Sequence, residues 1–173
     1  MEEVKEVKVR VGVPEDFYAI MNLALDLCKE NGLFSPDMSK VEMEVWASLH
    51  QDKGIVGVIG EVGGPLEGFV LLRIGNSWYS GEEMLEERCV FVSKKFRKVR
   101  GGRARRLCEF AKKVSDELGF VLLIGVLSSQ RTESKARLYN RIFGEPAGVF
   151  YLHGRKTGDW SMEGGDSEKM LQM

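Results

Sequence analysis

The sequence predicts one α/β domain of the mixed α+β type, in which a mixed β-sheet is flanked by helices. Three observations predict it. Segments with alternating or continuous apolar residues are typical of strands, segments with apolar residues at three- and four-residue spacing are typical of helices, and turns rich in glycine or proline separate the two kinds. In chain order the elements read β-α-α-β-β-β-α-β-α-β. With 173 residues, the chain is long enough to bury the core that such a domain needs.

The first half of the chain contains a strand, two helices and a hairpin. Valine alternates with polar residues over residues 5–13, which predicts a half-buried strand, and Pro14 then opens a helix with an acidic first turn. Gly32 ends that helix, and a second amphipathic helix follows the connector at residues 33–36. Two apolar strands come next, and the Gly-Gly-Pro link between them at residues 63–65 predicts a hairpin.

The second half of the chain alternates strands with helices. A further strand is predicted at residues 84–92, and the helix that follows the next turn ends at Gly119. Residues 121–127 are almost continuously apolar, as expected for a central strand that is covered on both faces. A short helix at residues 133–143 and a last strand at residues 149–152 complete the order.

The composition excludes several classes of protein. The net charge is −1, so no overall field attracts the chain to nucleic acid or to a membrane surface, and no apolar run is long enough to span a bilayer. The N-terminus lacks the apolar core of a signal peptide. Three well-separated cysteines and two histidines have no metal-ligand spacing, which indicates reduced thiols, a cytoplasmic location and no bound metal. The sequence becomes polar and rich in glycine near its end, so we predict a domain at residues 1–156 and a polar tail at residues 157–173.

The most informative segment lies at residues 91–104, where a strand leads into a basic turn with two glycines and then into a helix. Such a turn presents converging N–H groups, its glycines allow close approach of a ligand, and the positive end of the helix dipole favours an anion. Eight of the thirteen residues at positions 94–106 are Lys or Arg. The segment therefore predicts a phosphate-binding site.

This segment, together with the element order, resembles the GNAT superfamily of N-acetyltransferases. The family signature is Arg or Gln, two residues, Gly, one residue, then Gly or Ala. Here Arg97 and Gly102 match the two ends of the signature, and Arg100 replaces its first glycine. Residues 136–144 resemble the final helix of the family, with its closing Gly-Phe reversed. The likeness extends over residues 7–152.

The resemblance implies further details of the fold, and it implies a cofactor. It implies a mostly antiparallel sheet of six to seven strands with about four helices. It also implies acetyl-CoA as the donor of an acetyl group that passes directly to an amine in a ternary complex. The amides of the basic turn would hold the pyrophosphate, and the backbone at the end of the preceding strand would bind the pantetheine arm. The implied cofactor-binding residues are Phe91, Val92, Arg97, Lys98, Arg100, Gly101, Gly102, Arg103 and Ala104.

Three residues are candidates for catalysis. The resemblance places Tyr139 at the position of a tyrosine whose hydroxyl protonates the departing thiolate of CoA. The alternative is that Tyr139 only packs against the rest of the short helix. The resemblance also implies a carboxylate on the strand at residues 84–92 that removes a proton from the amine, and Glu86 and Glu87 are the candidates. Regular alternation would put Glu86 on the face of Val90, and Glu87 on the opposite face. The sequence leaves open which face of the strand borders the substrate cleft. It also leaves open that both glutamates are solvated and have no catalytic role.

Two other functions are compatible with the sequence. One is a GNAT-like binding module with weak or no catalysis, which would act through protein or nucleic-acid contacts; Arg100 and the basic cluster favour it. The other is a nucleic-acid surface at positions 94–106, which is disfavoured because no aromatic residue except Phe96 interleaves with the basic ones. For the acetyltransferase, the expected partners are an amine acceptor of unspecified identity and, as an option, a second copy of the chain in a homodimer.

Overall fold

Five strands form one sheet in the part of the chain that the structure, a computed structural model, describes: residues 7–97, 102–127 and 131–154. The strands are β1 (Arg10–Val11), β2 (Gly54–Ile59), β3 (Gly68–Asn76), β4 (Glu83–Val92) and β5 (Val121–Leu123). They lie side by side in this order. Within the first four strands each adjacent pair is antiparallel, and β5 runs parallel to β4. The predicted mixed, mostly antiparallel sheet is therefore confirmed.

Four α-helices accompany the sheet within the same residues, as expected. They are α1 (Phe17–Asn31), α2 (Met38–Leu49), α3 (Arg103–Leu118) and α4 (Thr132–Phe143). The predicted helix ends at Gly32 and Gly119 are confirmed, because both glycines adopt a positive φ, 59° and 70°, that residues with a side chain adopt only at a cost. None of the helices in the described ranges is long and apolar enough to cross a membrane.

The two faces of the sheet carry two separate apolar cores. The helices α1 and α2 cover one face, where Ile20 packs in a cluster with Phe69 of β3. The helix α3 covers the other face, where Leu107 packs in a cluster with Val70 of the same strand. Successive residues of a strand point to opposite faces, so β3 supplies side chains to both cores in turn. The sheet is thereby held between two layers of helices.

Two predictions about strands are not met. Residues 149–152, predicted as the last strand, have no regular secondary structure, and all four side chains are exposed. The expected six to seven strands are accordingly not confirmed in the described residues. The prediction of a central strand at residues 121–127 is wrong: β5 has only three residues, lies at the edge of the sheet, and leaves 72% of Val121 exposed. Nothing pairs with its outer edge there, so continuous apolarity did not mean burial on both faces. The predicted tail at residues 157–173 lies outside the described residues.

A partly buried ion pair ties β1 to the start of α1 and to the turn between β2 and β3. The Asp16 side chain is fully buried, and its carboxylate accepts hydrogen bonds from the Arg10 guanidinium at 2.7 and 2.8 Å. It also accepts from the backbone N–H groups of Val13 at 2.9 Å and Gly63 at 3.2 Å. Burial alone would raise the pKa of this carboxyl, but the hydrogen bonds outweigh burial and lower the pKa below its ordinary value. One carboxylate thus fixes three segments of the chain.

Replacing this carboxylate should destabilise the fold. We expect Asp16→Asn to lower the free energy of unfolding at neutral pH by about 2–4 kcal/mol, since it leaves the Arg10 charge without its partner. Because the pKa of Asp16 is lowered, its stabilising effect is present above the ordinary value of 3.8 and is lost as the pH falls through the folded-state value. The difference in the free energy of unfolding between the wild type and Asp16→Asn should therefore shrink in acid. Urea denaturation at neutral pH and at a pH below 3.8 measures this difference.

The control for this experiment is Lys113→Gln, which breaks an exposed pair with Glu117. We expect it to change the free energy of unfolding by less than about 0.5 kcal/mol, because exposed pairs contribute little. A loss of stability in Asp16→Asn that is no larger than in the control would contradict the role assigned to Asp16.

Candidate active site

The strands β4 and β5 separate after a short paired stretch. Within the described residues they pair only at positions 84–86 and 121–123, whereas β4 stays paired with β3 as far as Val92. The gap between them is a cavity of about 270 Å³, which Lys135 and Tyr139 of α4 also line. Among the described residues, no strand pairs with the peptide groups of β4 that face this gap, so an extended ligand can hydrogen-bond to them.

A bulge in β4 decides which side chains face which core. Cys89 pairs with Leu71 and Glu87 pairs with Leu72, so that Arg88 is an extra residue opposite no partner. As a result Glu87, not Glu86, lies on the same face as Val90, towards the core under α3. The face assignment made from regular alternation is therefore wrong, because one inserted residue reverses the order of faces beyond it.

The two glutamates have different surroundings. The Glu86 carboxylate pairs with the Arg88 guanidinium at 3.0 Å, on the side of α1 and α2. Burial raises the pKa of Glu87 from 4.5 to about 7, although a hydrogen bond from the Gly125 N–H at 3.4 Å and the charge of Lys135 lower it in part. Glu87 therefore changes its charge near neutral pH, as a general base needs to do.

Tyr139 lies where two cavities meet. It lines the cavity between β4 and β5 and also a larger cavity, of about 450 Å³, beside the N-terminus of α3. Burial raises the pKa of its hydroxyl, and the negative charge of Glu87 raises it further. The hydroxyl thus keeps its proton at neutral pH and can donate it. The Tyr139 ring packs edge-on against the ring of Phe143, one turn further along α4, with 5.8 Å between centroids. This contact restricts the orientation of the tyrosine ring.

The larger cavity adjoins an open helix N-terminus. Gly102, the residue before α3, has φ 62° and no side chain with which to cap the helix. The N–H groups of the first turn, at Arg103, Ala104 and Arg105, have no acceptor within the helix, and all three residues line the cavity. This is the arrangement that binds anions at helix N-termini.

The predicted cofactor residues fall into two groups. Six of them line the larger cavity: Phe91, Val92, Arg97, Gly102, Arg103 and Ala104. The other three, Lys98, Arg100 and Gly101, lie outside the described residues. Both Glu86 and Glu87 line the smaller cavity. The structure therefore brings together the described members of the site that the sequence predicted.

Two described arginines that flank the basic turn, Arg97 and Arg103, are paired with acids. Arg97 donates to the Val92 carbonyl at 2.6 Å and to Glu30 of α1 at 2.8 Å. Arg103 donates to Glu67, just before β3. Each of these pairs joins the turn to a distant element. These two guanidinium groups thus brace the turn, so that the candidate donors to an anion are the backbone N–H groups at the start of α3 and other cations of the cavity.

Other cations in the larger cavity were missed by the sequence-based prediction. Arg131, Lys135 and Arg141 come from α4 or from the residue that precedes it, and all three line the cavity. Arg131, Lys135 and Tyr139 are spaced four residues apart, so they share one face of a helix. That spacing was visible in the sequence and is the pattern that would have found them. The residues that the structure describes contain no group of three or more His, Cys, Asp or Glu suited to a metal ion.

Comparison with known proteins identifies the fold. No family model matches the chain, and no curated protein matches it in sequence. The structure is similar to that of AAC(6')-Iy in complex with the bisubstrate analogue CoA-S-monomethyl-acetylneamine, with 15% identity, a TM-score of 0.66, and coverage of 88% of this chain and 99% of that one. A possible acetyltransferase from Clostridium difficile 630 has 20% identity and a TM-score of 0.61, over 87% of this chain and 98% of that one.

A third similar structure is the aminoglycoside acetyltransferase meta-AAC0020, from an uncultured soil metagenomic sample, in complex with sisomicin. It has 16% identity and a TM-score of 0.58, over 87% of this chain and 95% of that one. Likenesses at such identities are likenesses of fold. The chain has the fold of the GNAT acetyltransferases, and the resemblance seen in the sequence is confirmed at that level.

The raised pKa of Glu87 predicts that Glu87→Gln stabilises the protein in a pH-dependent way. The folded state favours the protonated form of the Glu87 carboxyl. The stability that comes from this preference is fully present below pH 4.5 and is lost as the pH rises through about 7. The uncharged amide does not suffer that loss. We expect the free energy of unfolding of the variant to exceed that of the wild type by about 1–3 kcal/mol above pH 8 and to match it near pH 4.5.

Urea denaturation at the two pH values measures this difference. Glu117→Gln is the control, because Glu117 is exposed and loses little hydration on folding. It should show no comparable dependence on pH. An effect of Glu87→Gln that is the same in acid and in base would contradict the desolvation of Glu87.

Proposed function

We propose that the protein is an acetyl-CoA-dependent N-acetyltransferase that transfers the acetyl group directly to an amine. The observation that carries the proposal is that the two cavities adjoin each other. They share Val90, Lys135 and Tyr139, and together they run from the N-terminus of α3 along β4 to Glu87. This path offers an anion site at one end and an acid and a base at the other. Structural neighbours with CoA or with a CoA-containing analogue support the same donor.

The donor would bind along this path by groups that suit each of its parts. The pyrophosphate would accept hydrogen bonds from the N–H groups at the start of α3, together with those of Arg100 and Gly101 in the preceding turn. Phosphate groups also attract Arg131 and Arg141, which line the same cavity. The pantetheine amides would pair with the open backbone edge of β4 at Phe91 and Val92, in the manner of an added strand.

The transfer needs one proton acceptor and one proton donor. The amine nitrogen attacks the thioester carbonyl and forms the N–C bond, while the Glu87 carboxylate takes a proton from that nitrogen. The C–S bond breaks, and the thiolate takes a proton from the Tyr139 hydroxyl. The proton held by Glu87 then returns to Tyr139 through solvent, so that the products are an acetamide and CoA. Glu87 is the better base of the two candidates, because Glu86 is paired with Arg88.

Cysteine chemistry supports direct transfer. A covalent acetyl-enzyme would need a thiolate near the site, since the thiolate is the nucleophile. Burial raises the pKa of Cys108 to about 12 and also raises that of Cys89, with the charge of Glu87 adding to both shifts. Both thiols therefore keep their protons at neutral pH, which favours a ternary complex.

Donor binding can be tested by charge reversal at the N-terminus of α3. Arg105→Glu puts a negative charge in the first turn, next to the expected pyrophosphate, and we predict an acetyl-CoA affinity at least about tenfold lower. Lys113→Glu is a matched control: Arg105 and Lys113 each pair with a glutamate four residues later on α3, but Lys113 does not line the cavity. Isothermal titration calorimetry measures both affinities. Equal effects of the two substitutions would contradict the assigned donor site.

The acid can be tested by Tyr139→Phe, which removes only the hydroxyl. We expect kcat to fall by about a hundredfold with an unchanged Kd for acetyl-CoA, since proton donation contributes to the transition state and not to donor binding. Steady-state kinetics with any accepted amine measures kcat, and calorimetry measures the Kd. An unchanged kcat would remove Tyr139 from the mechanism. Acetyl-CoA binding without turnover of any amine would favour the alternative, a binding module.

A further inference from the structure

We propose that the acceptor is a small monoamine with an apolar or aromatic body, bound in a cleft between α1, α2 and β4. This inference rests on the proposed N-acetyltransferase function and names the substrate class of that site. The cleft is a third cavity, of about 340 Å³, which is near the lower end of the range for small-molecule sites. Its size favours one compact molecule.

The cleft opens into the gap between β4 and β5 at the bulge of β4. Arg88 and Cys89 line both the cleft and the smaller of the two donor cavities. An amine that enters from the side of α1 and α2 therefore meets the smaller donor cavity at Arg88 and Cys89, and Glu87 lines that same cavity. The smaller donor cavity, which Glu87 lines, thus has the cleft on one side and the larger cavity on the other, and it shares lining residues with both. We call the three cavities together the passage.

The walls of the cleft are mainly apolar. They are formed by side chains from both helices and from the sheet, namely Ala24, Leu27, Val41, Val45, Phe69 and Leu71. Leu27 and Val41 are only partly buried, so they present apolar surface to whatever fills the cleft. A ligand with an apolar body gains from covering this surface, whereas a polyhydroxylated one loses hydration without replacement hydrogen bonds.

The charges at the cleft are already balanced within the protein. Two acids and two bases line it: Asp37, Glu44, Lys40 and Arg88. Glu44 of α2 pairs with Arg73 of β3, and its second oxygen lies 3.9 Å from Arg88. Arg88 in turn pairs with Glu86. A polycation needs an excess of carboxylates to bind, and this cleft has none among the described residues.

These features suit an amine with an apolar body better than a polyamine. Sisomicin and acetylneamine appear with two structures of the same fold, and both ligands are polyamines. Here the cleft offers apolar walls and matched charges instead. One amine nitrogen can approach Glu87 in neutral form while the rest of the molecule lies on Leu27 and Val41. The transfer itself is unchanged: the N–C bond forms, the C–S bond breaks, and an acetamide and CoA are released.

The test is a kinetic comparison of four amines with acetyl-CoA and the full-length protein. Product formation by 2-phenylethylamine, spermidine, kanamycin and a peptide with a free N-terminus is followed by liquid chromatography. We expect kcat/KM for 2-phenylethylamine to exceed that for each of the others by at least about tenfold. A higher value for spermidine, kanamycin or the peptide overturns the inference and leaves the acetyltransferase function standing.

A variant tests the charge argument directly. Arg73→Gln removes the ion-pair partner of Glu44 without altering a residue that lines the cleft. We expect KM for spermidine to fall by at least about threefold while kcat for 2-phenylethylamine is unchanged. Lys113→Gln, which also removes one cation from an ion pair but lies on α3, is the matched control and should change neither value. An unchanged KM for spermidine in Arg73→Gln contradicts the role of charge balance.

The failure of this inference and the failure of the proposed function have different signatures. If acetyl-CoA does not bind in calorimetry and no amine is acetylated, the proposed function is wrong, and the acceptor assignment falls with it. If acetyl-CoA binds and 2-phenylethylamine neither reacts nor binds to the CoA complex, the acceptor assignment alone is overturned.

Discussion

The early separation of β4 from β5 is the constraint on which the site depends. β3 pairs with β4 along the whole strand, so β4 keeps its course although β5 leaves it after three residues. A ligand in the gap takes the place of a missing strand and satisfies peptide groups that would otherwise need water. The same separation leaves room for Tyr139 to reach the gap from α4. One departure from a regular sheet therefore supplies a binding surface and access for an acid.

The sequence predicts the elements well where the information is local. Apolar spacing predicts the four helices, and Gly32 and Gly119 mark helix ends because a positive φ is a property of the residue itself. The face of Glu87 could not be predicted in this way. The extra residue Arg88 is a matter of pairing with β3, and neither a glycine nor a proline in β4 announces it. The edge position of β5 could not be predicted from its own residues either, because it depends on which strands pair with β5, and among the described residues only β4 does.

Charge in this protein is organised by contacts that are distant in sequence. Arg97 pairs with Glu30, and Arg103 pairs with Glu67, acids that precede them by 67 and 36 positions. A count of basic residues predicts an open positive surface, but the fold converts two of these side chains into braces for the turn. Glu44 of α2 and Arg73 of β3, 29 positions apart, form a comparable long-range pair on the other side of the sheet. In the proposed complex, backbone N–H groups and apolar walls then dominate recognition at the two ends of the passage.

Burial shifts the pKa of Glu87 and of Tyr139, the two side chains proposed to react, in the same direction. Desolvation raises the pKa of any group whose charged form is an anion, so it raises the pKa of Glu87 and of Tyr139 alike. The two groups start from ordinary values of 4.5 and 10.0, and a shift in the same direction makes Glu87 a stronger base and Tyr139 a weaker acid. It brings Glu87 to about 7, where the carboxylate is a stronger base yet still present, and it keeps Tyr139 protonated. Lys135 limits the rise at Glu87, while the charge of Glu87 adds to the rise at Tyr139. In the proposed transfer, Glu87 is therefore in part a carboxylate that can take a proton at neutral pH, and Tyr139 is a phenol that carries the proton for the thiolate.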